Sequence, residues 1–312
     1  MGKRFHVVLF INLLLLLALI PIALFLGDAD LSVIQEIRLP RVVTAIVAGV
    51  ALAIAGSLSQ AIFVNPIIEP SLLGLSSSAA LGAVLGVLIG VAEVGSVTTI
   101  PFAIAGALLG ALLILKLTEG RSSLVLILNG IAVTAITTAL VGGSIGLLDR
   151  NDIRSFSFWS FGSLALADWY AAFTIGGALL LALPLVFLVR AGLDLLSLGE
   201  STVRLIGVDL PKLRWITFSA IALLVAATVS TIGSIAFLGL ASAHIARYFV
   251  GPRHARLLPI ASLIAANVLL IADTFARRAF FPQEVPIGFV IALLAAPILI
   301  WALRSQRVWQ ER

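Results

Sequence analysis

Stretches of about 20 mostly apolar residues, long enough for an α-helix to cross a hydrocarbon core, recur along this chain from Phe5 to Leu303. Ten segments qualify: 5–26, 42–63, 72–91, 96–115, 123–142, 166–189, 213–231, 235–250, 256–275 and 286–303. The eighth is the shortest. No other feature restricts the fold as strongly, because a backbone in lipid must satisfy its own N–H and C=O groups, and a helix does so within one segment. Composition points the same way: of 312 residues, 61% are hydrophobic and 11% charged, too few polar side chains to cover a water-facing surface. The expectation is an all-α polytopic membrane protein of about ten transmembrane helices, one domain over residues 1–312. Lys3 and Arg4 before the first apolar run give it the outline of a signal peptide, but the run is long and more spans follow, so it reads as a retained helix.

Basic residues give the expected orientation. With the N-terminus in the cytoplasm, Lys3, Arg4, Lys116, Arg121, Arg190, Arg204, Lys212, Arg214, Arg247, Arg253, Arg256, Arg304, Arg307 and Arg312 fall inside, and Arg38, Arg41, Arg150, Arg154, Arg277 and Arg278 outside, 14 against 6. The positive-inside rule requires that bias, and both termini are then cytoplasmic. The net charge of +5 is spread between apolar segments, not gathered in a patch, so nucleic acid is not an expected partner. There is no cysteine, hence no disulfide, thiolate nucleophile or thiolate metal site. The histidines, His6, His244 and His254, are scattered and form no metal pair. No nucleophile–base set and no phosphate-cradling glycine loop followed by Lys-Ser/Thr is present, so the chain reads as a non-enzyme, and any nucleotide hydrolysis must come from another chain.

Glycine and alanine recur at spacings of three or four, at Gly49, Gly56, Gly82, Gly86, Gly106 and Gly110 among others, which suits close helix packing in lipid. Two connectors are long. Residues 146–164 carry Asp149, Arg150, Asp152, Arg154 and Trp159 on the outside. On the inside, residues 191–214 alternate Leu195, Leu196, Leu198, Val203, Leu205 and Ile206 with Glu200, Ser201 and Arg204. That pattern predicts two short amphipathic helices broken at Gly199 and Gly207, either lying on the membrane surface or docking a cytoplasmic partner.

Gln60, Asn129, Asn267 and Asp273 lie within apolar spans and need partners or water. After Gln60, Asn65-Pro66 is expected to end the helix and leave irregular backbone through Pro70, either a lining or gate or an ordinary inner loop. Asp273 is four residues before Arg277, a spacing for an ion pair on one helix face. Arg38 and Arg41 open the second span, where cations are unfavourable beside a helix N-terminus; an acidic partner outside the membrane would justify them. An ion-coupled secondary transporter would instead place carboxylates near mid-membrane, with Asp168 and Asp273 as the candidates, both nearer the outer end.

Several separated motifs occur together: Arg38-Leu39-Pro40-Arg41, Gly56 to Gln60, Asn65-Pro66 with Glu69-Pro70, Leu72-Leu73-Gly74, Ser76 to Gly82, Trp159 with Gly162-Ser163-Leu164, Leu195 to Glu200 with Arg204 and Gly207, Gly233 to Gly239, His244 to Arg247, Ala272-Asp273 with Ala276-Arg277, then Glu284, Pro286, Gly288 and Ala296-Pro297 before Trp301. In that order they resemble the FecCD and BtuC-like permease family of bacterial ABC importers for iron–siderophore, haem or cobalamin, over about 37–304. The resemblance implies the BtuC-like, type II importer fold in the bacterial inner membrane. It implies a second permease chain, identical or homologous, two cytoplasmic ABC ATPases that bind ATP and Mg, and a periplasmic or lipid-anchored binding protein. No cofactor is expected in this chain. By analogy the cargo is a ferric siderophore, with haem or cobalamin as alternatives. The resemblance also assigns roles: Asn65 and Ile67, completed by Ser122 and Ser123, at an inner gate; Leu198, Gly199, Glu200, Arg204 and Gly207, within 191–212, at the ATPase-coupling surface; and Arg38, Arg41 and Arg277 at the dock for the binding protein.

Overall fold

The computed structural model describes residues 2–27, 30–93, 96–118, 123–147, 160–279 and 284–310, with side chains at 2, 72, 123 and 299–310 left aside. Ten principal helices lie among the described residues: α1 (Gly2–Phe25), α2 (Leu39–Ile62), α3 (Leu75–Leu88), α4 (Thr99–Thr118), α5 (Ser123–Ile145), α6 (Trp169–Leu196), α7 (Leu210–Ile232), α8 (Leu238–Val250), α9 (His254–Arg278) and α10 (Ile287–Gln310). They match the ten expected segments one for one. Seven are long and apolar enough to cross a membrane, while α3 and the apolar part of α10, Ile287–Ile298, are shorter apolar helices. Successive helices run in opposite directions, so the bundle has a starting end, where α1 begins, and a far end.

The short helices have a physical cause. A glycine at position 74 in the left-handed region, φ 75°, opens α3, and Gly74 lies against Val133 and Thr134, halfway along α5. The chain after α2 has therefore climbed back to mid-bundle as irregular backbone before α3 starts. From the other side, residues 233–237 descend past the end of α7, and α8, 13 residues long, starts beside Leu52 and Gly56 of α2. Irregular backbone at this depth is tolerated only where protein surrounds it, and here α2, α5 and α7 do.

α2 and α7 form the centre, with 78% and 72% of their apolar windows buried, against 11% for α1 and 28% for α5 at the rim. Their cores are small side chains such as Ala48, Ala51, Ala55, Ala222 and Ala226, which let backbones approach where lipid supplies no hydrophobic drive. Two crossings are close: on α3 and α4 a methyl placed on Gly82 would lie 2.1 Å from the Phe102 carbonyl oxygen, and on α2 and α8 one placed on Gly56 would lie 2.6 Å from the Gly239 carbonyl carbon. All four isolated polar residues find partners on neighbouring helices, Asp273 in a charge cluster at the far end. Asn267 Nδ2 donates to the Asn12 carbonyl of α1 at 3.0 Å, Asn129 Nδ2 to Thr118 Oγ1 of α4 at 2.9 Å, and Gln60 Oε1 accepts from Arg247 Nη2 of α8 at 2.7 Å.

Candidate functional sites at the two ends of the bundle

At the far end, the chain keeps its charges for itself. Arg41, 5% exposed, donates from Nε to both oxygens of Asp273 at 2.9 and 3.0 Å and from Nη2 to Asp273 Oδ1 at 2.8 Å. Its Nη1 and Nη2 also reach Glu284 Oε1 and Oε2, both at 3.0 Å. This charge-assisted fork joins the start of α2, the end of α9 and the lead-in to α10. Asp273 thus pairs with Arg41, 232 positions away, and not with Arg277 as the helical spacing suggested. The Arg277 guanidinium turns instead to α1, where Nη2 donates to the Ala23 carbonyl at 2.7 Å.

Arg38 does the same. Its Nη1 donates to the carbonyls of Leu24, Leu26 and Gly27 at 2.6, 3.3 and 3.4 Å, and the Arg278 guanidinium lies against Gly27. The last carbonyls of a helix have no partners within it and carry a partial negative charge. Arginine at the entry to α2 is therefore explained inside the chain, as a cap on α1. Of the three arginines expected at a dock, Arg38 and Arg277 are half-buried and Arg41 is buried. Asp168, the other candidate carboxylate for ion coupling, caps α6 by accepting the Ala171 N–H at 2.9 Å. Both carboxylates on which that alternative rested hold structural positions.

At the starting end, α6 runs on to Leu196. It absorbs the first of the two short helices expected in 191–214: the helix runs through Pro184 and Gly192, with Val186, Val189, Leu193 and Leu196 buried, and stops before Gly199. A single short helix, Glu200–Leu205, remains. Both predicted breaks are real: Gly199 has φ 96° and Gly207 φ 87°. The Gly207 and Val208 N–H groups return to the Arg204 and Val203 carbonyls at 3.1 and 3.2 Å, a glycine-dependent Schellman end. Val203 is fully buried, and Arg214 Nη2 donates to Glu200 Oε1 at 2.7 Å, tying the short helix to α7. Leu198, Leu205 and Ile206 face outward at 59, 88 and 56% exposure, with Arg204 exposed beside them.

The gate candidates lie between α2 and α3. Asn65 Oδ1 accepts the Ile67 N–H at 3.1 Å, a side-chain turn that shapes the Asn65-Pro66 corner, and both residues are half-buried. Just before it, α2 ends in the same Schellman pattern as the short helix, Val64 N–H to the Ala61 carbonyl and Asn65 N–H to the Gln60 carbonyl. Here, however, the left-handed position holds valine, φ 49°, an outlier for a β-branched residue. Ser122 lies outside the described residues, as does the Ser123 side chain. So does 148–159 of the long connector between α5 and α6, with Trp159. Sequence reading placed Glu69 in a motif but gave it no role. Its carboxyl is buried, accepts the Phe237 backbone N–H ahead of α8, and leaves Oε2 without a partner among the described residues. The signal available was an acidic residue inside an apolar connector. Two motifs, Asn65 to Pro70 and Gly233 to Gly239, meet through it.

Residues 5–305 match the FecCD transport family. The chain belongs to this family. It is 37% identical over 300 residues to the hemin transport system permease protein HmuU of Yersinia pestis, with 90% of this chain and 86% of that one aligned. It is 34% identical to the Fe(3+) dicitrate transport system permease protein FecC of Escherichia coli K12, covering 88% and 84% of the two chains. The vitamin B12 import system permease protein BtuC of Escherichia coli O9:H4 is 36% identical over the same shares. Among solved structures, an inward-facing metal-chelate type ABC transporter superposes with a TM-score of 0.87 at 31% identity, over 96% of this chain and 99% of that one. PsaBC of Streptococcus pneumoniae, at TM-score 0.59 and 19% identity, shares the fold. This FecCD chain is accordingly a multi-pass permease of the ABC importer class, a transporter component and not an enzyme, with the BtuC-like fold.

Proposed function

We propose that this FecCD chain forms, with an identical or homologous second permease chain, the channel of a bacterial inner-membrane importer that carries a ferric siderophore, driven by two separate cytoplasmic ABC ATPases and fed by a periplasmic or lipid-anchored binding protein. The observation that carries the coupling half is the short helix Glu200–Leu205, held from behind by Val203 and Arg214 while Leu198, Leu205 and Ile206 stand outward at one end of the bundle. An exposed apolar set on a fixed helix suits a protein partner. Leu198, Gly199, Glu200, Arg204 and Gly207 make up this coupling surface, and the starting end with both termini is the cytoplasmic one. Asn65 and Ile67, with Ser122 and Ser123, form the inner gate. The half-buried Arg38 and Arg277 border the dock for the binding protein, and the buried Arg41 holds the helix ends on which they sit. ATP and Mg belong to the ATPases, and the chain needs no cofactor of its own.

Support for iron cargo comes from two relatives named for hemin and Fe(3+) dicitrate and a structural neighbour of the metal-chelate type. The 37% identity to a hemin permease makes haem the second reading. Proteoliposomes containing the chain, its ATPase and its binding protein test both. Uptake of a ferric siderophore that needs an intact ATPase, and exceeds uptake of haemin and cobalamin, is the expected result. Haemin preference moves the cargo to the second reading, and uptake that follows an ion gradient with a hydrolysis-dead ATPase removes the importer reading.

A further inference from the structure

The helix α9 begins without a cap of its own: Arg253, which precedes it, offers no side-chain hydrogen bond. The first N–H of the helix is satisfied from another element. Asp194, in the last turn of α6, accepts from the His254 backbone N–H at 3.0 Å and, with the same Oδ1, faces His254 Nδ1. The His254 side chain is 6% exposed. A carboxylate at a helix N-terminus is favourable both as acceptor and against the helix dipole, so this joint is stiff and acts along the α9 axis. Asp194 also lies in the 191–212 segment, four residues before Leu198, the first of the coupling-surface residues. The far end of α9 is fixed through Asp273 to Arg41 and through Arg277 to the Ala23 carbonyl of α1. One helix of 25 residues, roughly 37 Å at 1.5 Å per residue, therefore joins the coupling segment to the arginine cluster at the opposite end.

We infer that Asp194 and His254 are a positioning pair that passes displacement of the coupling segment to α9 and so to the far-end arginines. The inference rests on the proposed coupling role of Leu198, Gly199, Glu200, Arg204 and Gly207. Coupling between distant sites requires a demonstrated two-state response, not spatial intermediacy, so the test reads motion directly. The chain has no cysteine, and Phe173 of α6 and Phe275 of α9 are exposed near the far end; Phe173→Cys and Phe275→Cys take spin labels. In nanodiscs with the ATPase and binding protein, ATP should shift the distance between the labels. With Asp194→Ala, ATPase association and hydrolysis should persist, the shift should vanish, and uptake per ATP should fall about tenfold, within the ordinary range of a coupling free energy. Asp194→Asn keeps an acceptor for the backbone N–H and should recover most of both. His254→Ala keeps that bond, loses the ring and should fall between. An unchanged shift and uptake per ATP in Asp194→Ala and His254→Ala, or no shift in the parent complex, overturns the inference. Glu200→Ala with Arg204→Ala separates the two readings. If that double variant uncouples while Asp194→Ala does not, the positioning pair alone is wrong; if it leaves association and coupling intact, the coupling assignment itself is wrong.

Discussion

The two ends of the bundle solve opposite problems. At the far end, charged side chains turn inward: Arg41 is enclosed by Asp273 and Glu284, and Arg38 and Arg277 reach the last carbonyls of α1. At the starting end, apolar side chains turn outward on a short helix whose polar Glu200 is tied behind it. A charge paired within the chain fixes the ends of helices relative to one another. An apolar residue left in water does nothing for the free chain and gains only when something covers it. The far end is thus largely complete alone, and the starting end is built for a partner.

Breaking the far end should cost the most. Arg41→Met leaves Asp273 buried without its cation, a change of about 3–5 kcal/mol in comparable buried pairs. The thermal midpoint in detergent should fall sharply, and adding Asp273→Leu and Glu284→Gln should restore most of it. A midpoint unmoved by Arg41→Met would mean that the fork is not structural.

The starting end should respond in the opposite sense. Leu205→Ser removes a side chain that is 88% exposed, so stability should hold while ATPase association weakens about tenfold, equivalent to about 1.4 kcal/mol. Gly207→Trp, at φ 87°, should disturb the helix end and separate hydrolysis from uptake. Co-purification with normal stoichiometry and intact ATP-driven uptake in both variants would remove the contrast between the two ends.

Val64 sharpens the comparison from within one motif. Two helix ends share the same hydrogen-bond pattern, but only one has glycine in the left-handed position. Val64→Gly should raise stability by about 1 kcal/mol, the usual cost of a side chain there, whereas Gly207→Val should lower it by a similar amount. Chemical denaturation of the two variants in the same micelle gives both signs.

The smallest effect belongs to the dock. Arg38→Glu and Arg277→Glu should each reduce affinity for the binding protein by about 0.2–1 kcal/mol, as exposed ion pairs do, and the loss should shrink as salt rises. Binding in nanodiscs at low and high salt measures it. Equal loss at both salt levels would point to a shifted α1 terminus, since Arg38 also holds the Leu24 carbonyl.

Local spacing explains which parts of this were legible in the sequence. Apolar runs, the glycine breaks at Gly199 and Gly207 and the Asn65-Pro66 corner act over a few residues, and the helices and turns formed where those signals stood. What stayed hidden is pairing across distance: Arg41 with Asp273, Gln60 with Arg247 and Asp194 with His254 join positions 232, 187 and 60 apart. Periodicity contains no term for such contacts, and the nearer i,i+4 partner of Asp273, Arg277, was a plausible decoy. The half-length of α3 was equally invisible, because its flanking connectors are apolar enough to extend the apparent span, whereas α8 already stood out as the shortest of the ten expected segments.

The bare crossing of Gly56 on Gly239 has the form of a bearing. Helices that interlock through side-chain ridges must disengage before they turn, but here carbonyl and Cα surfaces meet with no ridge between them. From Gly239 to Val250 the lever arm is roughly 16 Å, so a swivel of about 10° would carry the end of α8 by roughly 3 Å at ordinary helix rise. The 2.7 Å bond from Arg247 to Gln60 opposes that travel near the end of α8. Alanine at either glycine would seize the bearing, and loss of that bond would free it.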